Sequence, residues 1–148
     1  MHFSKSRPAV RILAFAAALA ASAMSSAQGA DRIVHANGLA VVGPPGFLRT
    51  FTRDGYSFAQ IGNTRTPKSM SIVRSKVDPL SPNGLSRTGR TSYREEELGG
   101  GSGGTEYRLT VVQPGRGDFI VLVAYEQSEW GSSFREAWEL IESAEVVR

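Results

Sequence analysis

The run Gly99-Gly100-Gly101-Ser102-Gly103-Gly104 spells two patterns that can carry chemistry. It satisfies G-x-G-x-x-G, the dinucleotide fingerprint, which works when an apolar strand enters it and a helix leaves it, so that a pyrophosphate meets a helix N-terminus. Here the charged stretch Tyr93 to Leu98 enters and a strand pattern follows, so the cofactor reading fails. The run also satisfies G-x-S-x-G around Ser102, the nucleophile elbow, which requires an acid and then a histidine later in the chain. His35 precedes Ser102. A serine hydroxyl without a base is a poor nucleophile near neutral pH.

Glu95-Glu96-Glu97, with Glu106 beyond the glycines, is the densest carboxylate group. Alternation on a strand puts Glu95 and Glu97 on one side, as a carboxylate pair for sugar cleavage or a weak calcium site. A solvated edge strand, whose charges discourage sheet-to-sheet aggregation, is the favoured reading. No D-x-D-x-D-G loop supports a metal. Arg116-Gly117-Asp118 spells an adhesion tripeptide, but it lies where a hairpin needs glycine and polar residues, and the turn explains it. No catalytic residue, cofactor or metal is expected, and the chain reads as a non-enzyme.

Glu126-Gln127-Ser128-Glu129-Trp130-Gly131 leads from the strongest strand pattern towards a helix. Trp130 flanked by acids suits an interface anchor, since buried aromatics and desolvated charges dominate protein interfaces. Equally, Trp130 suits a cover over the helix N-terminus, with Glu126 or Glu129 meeting the positive end of its dipole. Both readings stand open at the level of sequence.

The elements that position these residues are mostly strands. Gly38 to Val42 is stopped by Gly43-Pro44-Pro45-Gly46, and Phe47 to Thr52 and Tyr56 to Ile61 flank the hairpin dipeptide Asp54-Gly55. Met70 to Val77 alternates Met70, Ile72 and Arg74 against Ser71, Val73 and Ser75, and Arg90 to Leu98 reads as a polar strand. Asp78 to Gly89 reads as a loop. Glu106 to Gln113 and Asp118 to Tyr125 are the strongest strands, joined by Pro114-Gly115-Arg116-Gly117. One helix is signalled by a capping box, Ser133-Phe134-Arg135-Glu136, with Phe134, Trp138, Ile141 and Glu145 at helical spacing behind it. The expected fold is α+β: one small domain, residues 28–148, with an antiparallel sheet of about five to six strands and a C-terminal helix packed on one face.

Before that domain, Lys5, Arg7 and Arg11 precede an apolar stretch, Ile12 to Met24, and a small-x-small site at Ser25 and Ala27. This describes a secretory signal peptide over residues 1–27, with cleavage after Ala23 or Ala30 as alternatives, too short for a membrane span. Export to the periplasm is expected. Removing it leaves 14 basic and 14 acidic residues, so the mature chain lacks the basic footprint of nucleic-acid binding. The balance is uneven: residues 28–94 carry ten basic residues against three acids, residues 95–148 four against eleven. If the halves interleave the charges pair; if not, an acidic side faces a cationic partner. With no cysteine there is no lipid anchor, thiol catalysis or thiolate metal site.

Two stretches carry a family resemblance: Gly100-Gly101-Ser102-Gly103-Gly104-Thr105-Glu106-Tyr107-Arg108-Leu109, and Tyr125 to Trp138, YEQSEWGSSFREAW. A glycine loop, a strand pair and an aromatic helix packed by F-x-x-x-W resemble periplasmic immunity proteins that neutralise type VI-secreted peptidoglycan-cleaving effectors, which in turn resemble the PsbP-like α+β fold. The resemblance implies a protein without chemistry of its own that binds and inhibits a secreted peptidoglycan hydrolase. A small periplasmic ligand-binding or envelope accessory protein is the alternative. No residue role carries over. The expected contact residues are those of exposed loops: Arg94, Gly101, Ser102, Gly103, Glu126, Glu129 and Trp130, the glycine loop presenting backbone amides to a carboxylate-lined cleft.

Overall fold

The hairpin expected at Asp54-Gly55 forms, closed by the Thr52 amide donating to the Gly55 carbonyl at 3.0 Å, yet neither residue takes a positive φ; glycine is required at 55 because a Cβ there would stand 2.0 Å from the Ile72 carbonyl oxygen. The computed structural model describes residues 31–62, 66–87 and 89–148; the signal peptide assigned to residues 1–27 lies outside them. In chain order the strands are β1 (Arg32–Val34), β2 (Leu39–Val42), β3 (Phe47–Phe51), β4 (Gly55–Gln60), β5 (Ser69–Ser75), β6 (Leu85–Ser86), β7 (Ser92–Gly101), β8 (Gly104–Pro114) and β9 (Phe119–Ser128). Helix α1 (Arg135–Ser143) and β10 (Glu145–Val146) complete the chain. Residues Arg32–Arg148 form one compact unit.

The sheet is antiparallel as expected but wider. Seven strands run in the order β3-β4-β5-β9-β8-β7-β6, and a separate three-stranded sheet runs β1-β2-β10. Alternation sorts the side chains. Tyr56, Phe58, Met70, Ile72, Leu109, Val111, Ile120 and Leu122 join one buried cluster with Leu39 and Val41 of β2 and with Phe134, Ala137, Leu140 and Ile141 at the helix. The other face carries the residues between them: Val112 and Val121, capped by Leu80 from the 76–91 segment. Among the described residues of 78–89, expected as a loop, Leu80 alone is buried, and Leu85–Ser86 form the short strand β6.

Two helix expectations are corrected. Ser133 does not cap the helix: the N-cap position is Phe134, in the left-handed region at φ 49°, with no side-chain cap bond from that residue. Glu136 turns instead to Lys68, whose Nζ donates to it at 3.1 Å. Glu145 is not helical. The helix ends at Ser143, Ala144 is extended, and Glu145 pairs antiparallel with Ala40.

The charge halves interleave. Because β5 pairs with β9, Arg74 meets Asp118 at 2.8 Å; Lys68, just before β5, meets Glu136 of the helix, and Arg32 of β1 bonds Glu145 of β10 in the smaller sheet. Asp118 of the adhesion-like tripeptide is thus held by an arginine, inside a turn closed by the Gly115 amide donating to the Asp118 carbonyl at 2.8 Å.

Candidate functional site

The six-residue glycine run is a hairpin tip, not a loop. Gly101 pairs with Gly104, leaving Ser102 and Gly103 as a two-residue turn. Glycine is needed at two points. The register shifts between Glu97 and Gly99, where Gly99 takes φ +135° and a bulge re-aims the strand. Gly104, at φ +100°, brings its backbone against the end of β9, where a Cβ would stand 2.4 Å from the Ser128 carbonyl carbon.

That close approach sets the tip beside residues 127–130. Gln127 Nε2 donates to the Gly104 carbonyl at 3.1 Å, and the Trp130 amide donates to Ser128 Oγ at 3.1 Å. Thr66, Gly103, Gln127, Ser128, Glu129 and Trp130 line a depression of about 340 Å³. The Trp130 side chain does not cover the helix end: the residue is 90% exposed. Three of the expected contact residues, Gly103, Glu129 and Trp130, therefore come together. Gly101 and Ser102 stand exposed on the tip beside them.

Glu126 goes elsewhere. Strand alternation turns it away from Gln127 into the interior, where it is 6% exposed. Its Oε2 accepts from the Phe134 amide at 3.1 Å and its Oε1 from the Ser133 amide at 3.4 Å. Of the two readings open in the sequence, the helix-terminus role fits Glu126 and the exposed-anchor role fits Trp130.

Arg94 is also separate. It sits opposite Thr110 on β8, with Glu96 and Arg108 on the same face one step along. Glu96 serves both arginines, accepting from Arg108 Nε at 2.8 Å and lying 3.4 Å from Arg94 Nε. The Arg108 guanidinium holds its proton more tightly than usual, first through the Glu96 bond and then through one to Tyr125. Arg94 Nε makes no hydrogen bond despite being buried.

Glu95 and Glu97 share the side opposite Glu96, as alternation requires, and Glu95 accepts a bond from Ser132 Oγ. Among the described residues no three His, Asp or Glu side chains group to hold a metal ion. His35 Nε2 contacts the Thr52 carbonyl at 2.9 Å and its Nδ1 accepts from the Asn37 amide at 3.1 Å, so both ring nitrogens are engaged with backbone. Gln127 and Thr66 were not singled out in the sequence. Gln127 had a signal, its alternation against Glu126; Thr66 had none.

Three similarities bear on this geometry. The model of the type six secretion immunity 3 domain matches residues 40–145. The immune protein Tsi3 of Pseudomonas aeruginosa is 38% identical over 139 residues, covering 91% of this chain and 95% of that protein. A crystal structure from Bacteroides thetaiotaomicron superposes with a TM-score of 0.57 at 14% identity, over 81% of this chain and 49% of that one, a likeness of fold alone.

Proposed function

The chain belongs to the type six secretion immunity 3 family, and from that premise we propose that it is a periplasmic protein that binds a secreted cell-wall-degrading effector and blocks it. Membership in the family implies a role in neutralising an effector and hence a protein partner. The finer parts of the reading rest on this chain's own residues. Export is supported by the charged start, apolar stretch and small-x-small site of residues 1–27. A non-catalytic mode is supported by the environment of each candidate group: Ser102 on a hairpin tip, the His35 nitrogens on backbone atoms, Glu96 between two arginines.

The observation that carries the reading is Trp130. A tryptophan left 90% in water, its amide bonded to Ser128 Oγ at the rim of a depression, is the arrangement of an interface anchor awaiting its partner. The hairpin tip beside it is exposed at Gly101 and Ser102, and its backbone is held by the Gln127 bond and by the Gly104 approach to β9. Little ordering cost then remains to oppose binding.

The test is protection. Cells lacking this gene are expected to lyse when a neighbouring wild-type population delivers the effector, and the exported chain is expected to restore survival. The purified processed chain is expected to bind that effector and suppress its release of muropeptides from peptidoglycan sacculi. Unimpaired survival of the deletion strain, or muropeptide release unaffected by a molar excess of the chain, would overturn the reading.

A further inference from the structure

Among the described residues the corner around Trp130 has an electrostatic character that the sequence-based expectation did not foresee. That expectation set the glycine tip, with Arg94 among the contact residues, against a carboxylate-lined cleft. Arg94 and Arg108 instead share Glu96. The side chains at the tip are acidic: among the described residues Glu129, which lines the depression, has no side-chain hydrogen-bond or ion-pair partner, and neither has Glu106, directly opposite Gln127 on β8. No lysine or arginine of the described residues lines the depression.

We propose that this depression receives a cationic side chain, arginine or lysine, of the bound effector, laid on the Trp130 ring and paired with the Glu129 carboxylate, a role that rests on the effector-binding reading above. The chain shows elsewhere what such a ring face accepts. Arg87 lies 3.7 Å from the Trp138 ring centre and Arg49 lies 5.5 Å from that of Phe51. Among the described residues Trp130 has no such companion. An indole face attracts a cation through its quadrupole, and the attraction grows when water is excluded on docking. Glu129 adds a full charge next to the ring, and Glu106 extends the negative field towards the approach path.

The shape agrees with the charge. About 340 Å³ is room for one long side chain. Gly103 keeps it open: a Cβ there would stand 2.9 Å from Thr66 Cγ2 and 3.1 Å from Gln127 Nε2, across the lining. The Ser128 Oγ bond to the Trp130 amide fixes the backbone beneath the ring. An anionic occupant would meet the Glu129 carboxylate, and a purely apolar one would leave Glu129 desolvated without a partner.

The experiment uses the processed chain and the purified effector whose gene neighbours its own, with affinity measured by calorimetry at two salt concentrations. Trp130→Leu is expected to weaken binding about 30-fold or more and Trp130→Phe much less, since a ring face remains. Glu129→Lys is expected to weaken it about 100-fold, and Glu129→Gln to weaken it less while flattening the salt dependence. Glu97→Gln, on the opposite side of the sheet, is expected to bind as wild type. Both tested residues are exposed, so matching circular dichroism and melting curves show that the variants are folded. If wild type binds and Trp130→Leu and Glu129→Lys both bind within twofold of it, the cationic pocket is wrong and effector binding stands. If Trp130→Leu weakens binding and Glu129→Lys does not, the occupant is apolar and the inference fails. If wild type binds no effector, the reading itself fails and the pocket with it.

Discussion

The Glu126 carboxylate lies 3.1 Å from the backbone amide of Phe134, eight residues on, and accepts its hydrogen bond inside the protein core. A side chain on the last turn of a strand thus does the work usually left to the residue that begins a helix. The first amides of a helix have no partner within it, and burying them unpaired is costly. Phe134 meets this need in an unusual way. It sits at φ 49°, a conformation costly for a non-glycine residue, with its ring buried against the core.

Glu126→Ala is therefore expected to destabilise the fold by about 1–3 kcal/mol, because the buried Phe134 amide and the less buried Ser133 amide lose their acceptor. Glu126→Gln keeps one acceptor oxygen and is expected to cost less. Ser133→Ala is expected to be nearly neutral, since that residue is exposed and caps nothing. Urea denaturation of the three variants checks the order; a larger loss for Ser133→Ala than for Glu126→Ala would restore the capping box.

Glu136 links stability to acid. Burial pushes its carboxyl up, but the bond to its own backbone amide, the Lys68 ammonium at 3.1 Å and the nearby Arg135 pull it down further, so it ends below its ordinary value of 4.5. A carboxyl lowered in the folded state stabilises the protein above its unfolded value, and that contribution is lost as pH falls from about 4.5 through the folded value. Wild type is expected to lose stability over that interval more steeply than Glu136→Gln. Lys68→Met is expected to flatten the same limb, with a coupling between the two sites of about 0.5–1 kcal/mol near pH 7. Parallel acid limbs for wild type and Glu136→Gln would disprove it.

Trp138 is half-buried rather than enclosed, so its removal is expected to cost less than that of a wholly buried ring. Tyr93 meets its edge with ring centres 5.5 Å apart, and Arg87 covers its face. Trp138→Ala is expected to cost about 2–3 kcal/mol, below the usual range for a buried aromatic, and Arg87→Ala about 0.5–1 kcal/mol. Chemical denaturation distinguishes these. A Trp138→Ala loss under 1 kcal/mol would mean the helix does not depend on this ring.

Which of these features the sequence disclosed follows from the range of the interactions. The hairpin at Asp54-Gly55 falls where the sequence places it, though without the positive φ expected of that dipeptide, and Met70 and Ile72 alternate into the core, because both signals are local. The second sheet was hidden since β1 and β10 have three and two residues, too few for any pattern, and β10 exists only because β2 lies beside it. Ser133 to Glu136 fitted a local capping rule, but Glu126 from the neighbouring strand supplied the acceptor and Lys68 drew Glu136 away. At the site, Gly103, Glu129 and Trp130 were legible as loop residues with turn and interface chemistry. Their meeting was not, because it depends on the pairing of β8 with β9 and on a segment near residue 66.

The glycines of the tip are not equivalent, and the difference separates folding from binding. At Gly104 a Cβ would stand 2.4 Å from the Ser128 carbonyl carbon, 2.5 Å from its oxygen and 2.6 Å from the Glu129 nitrogen, all backbone atoms, on a residue at φ +100°. Neither the clash nor the conformation can be relieved by a rotamer change, so Gly104→Ala is expected to cost more than about 2 kcal/mol and to move residues 128–130. At Gly101 nothing lies within 4 Å of a Cβ, so Gly101→Ala is expected to change stability by less than about 0.5 kcal/mol. Gly104→Ala is expected to weaken effector binding as well, because Trp130 shifts with the strand end, while Gly101→Ala changes binding only where the tip itself touches the partner. Amide exchange at residues 127–130 reads the displacement independently of affinity. Unchanged protection there in Gly104→Ala would show that the hairpin tip and the Trp130 turn are not mechanically joined.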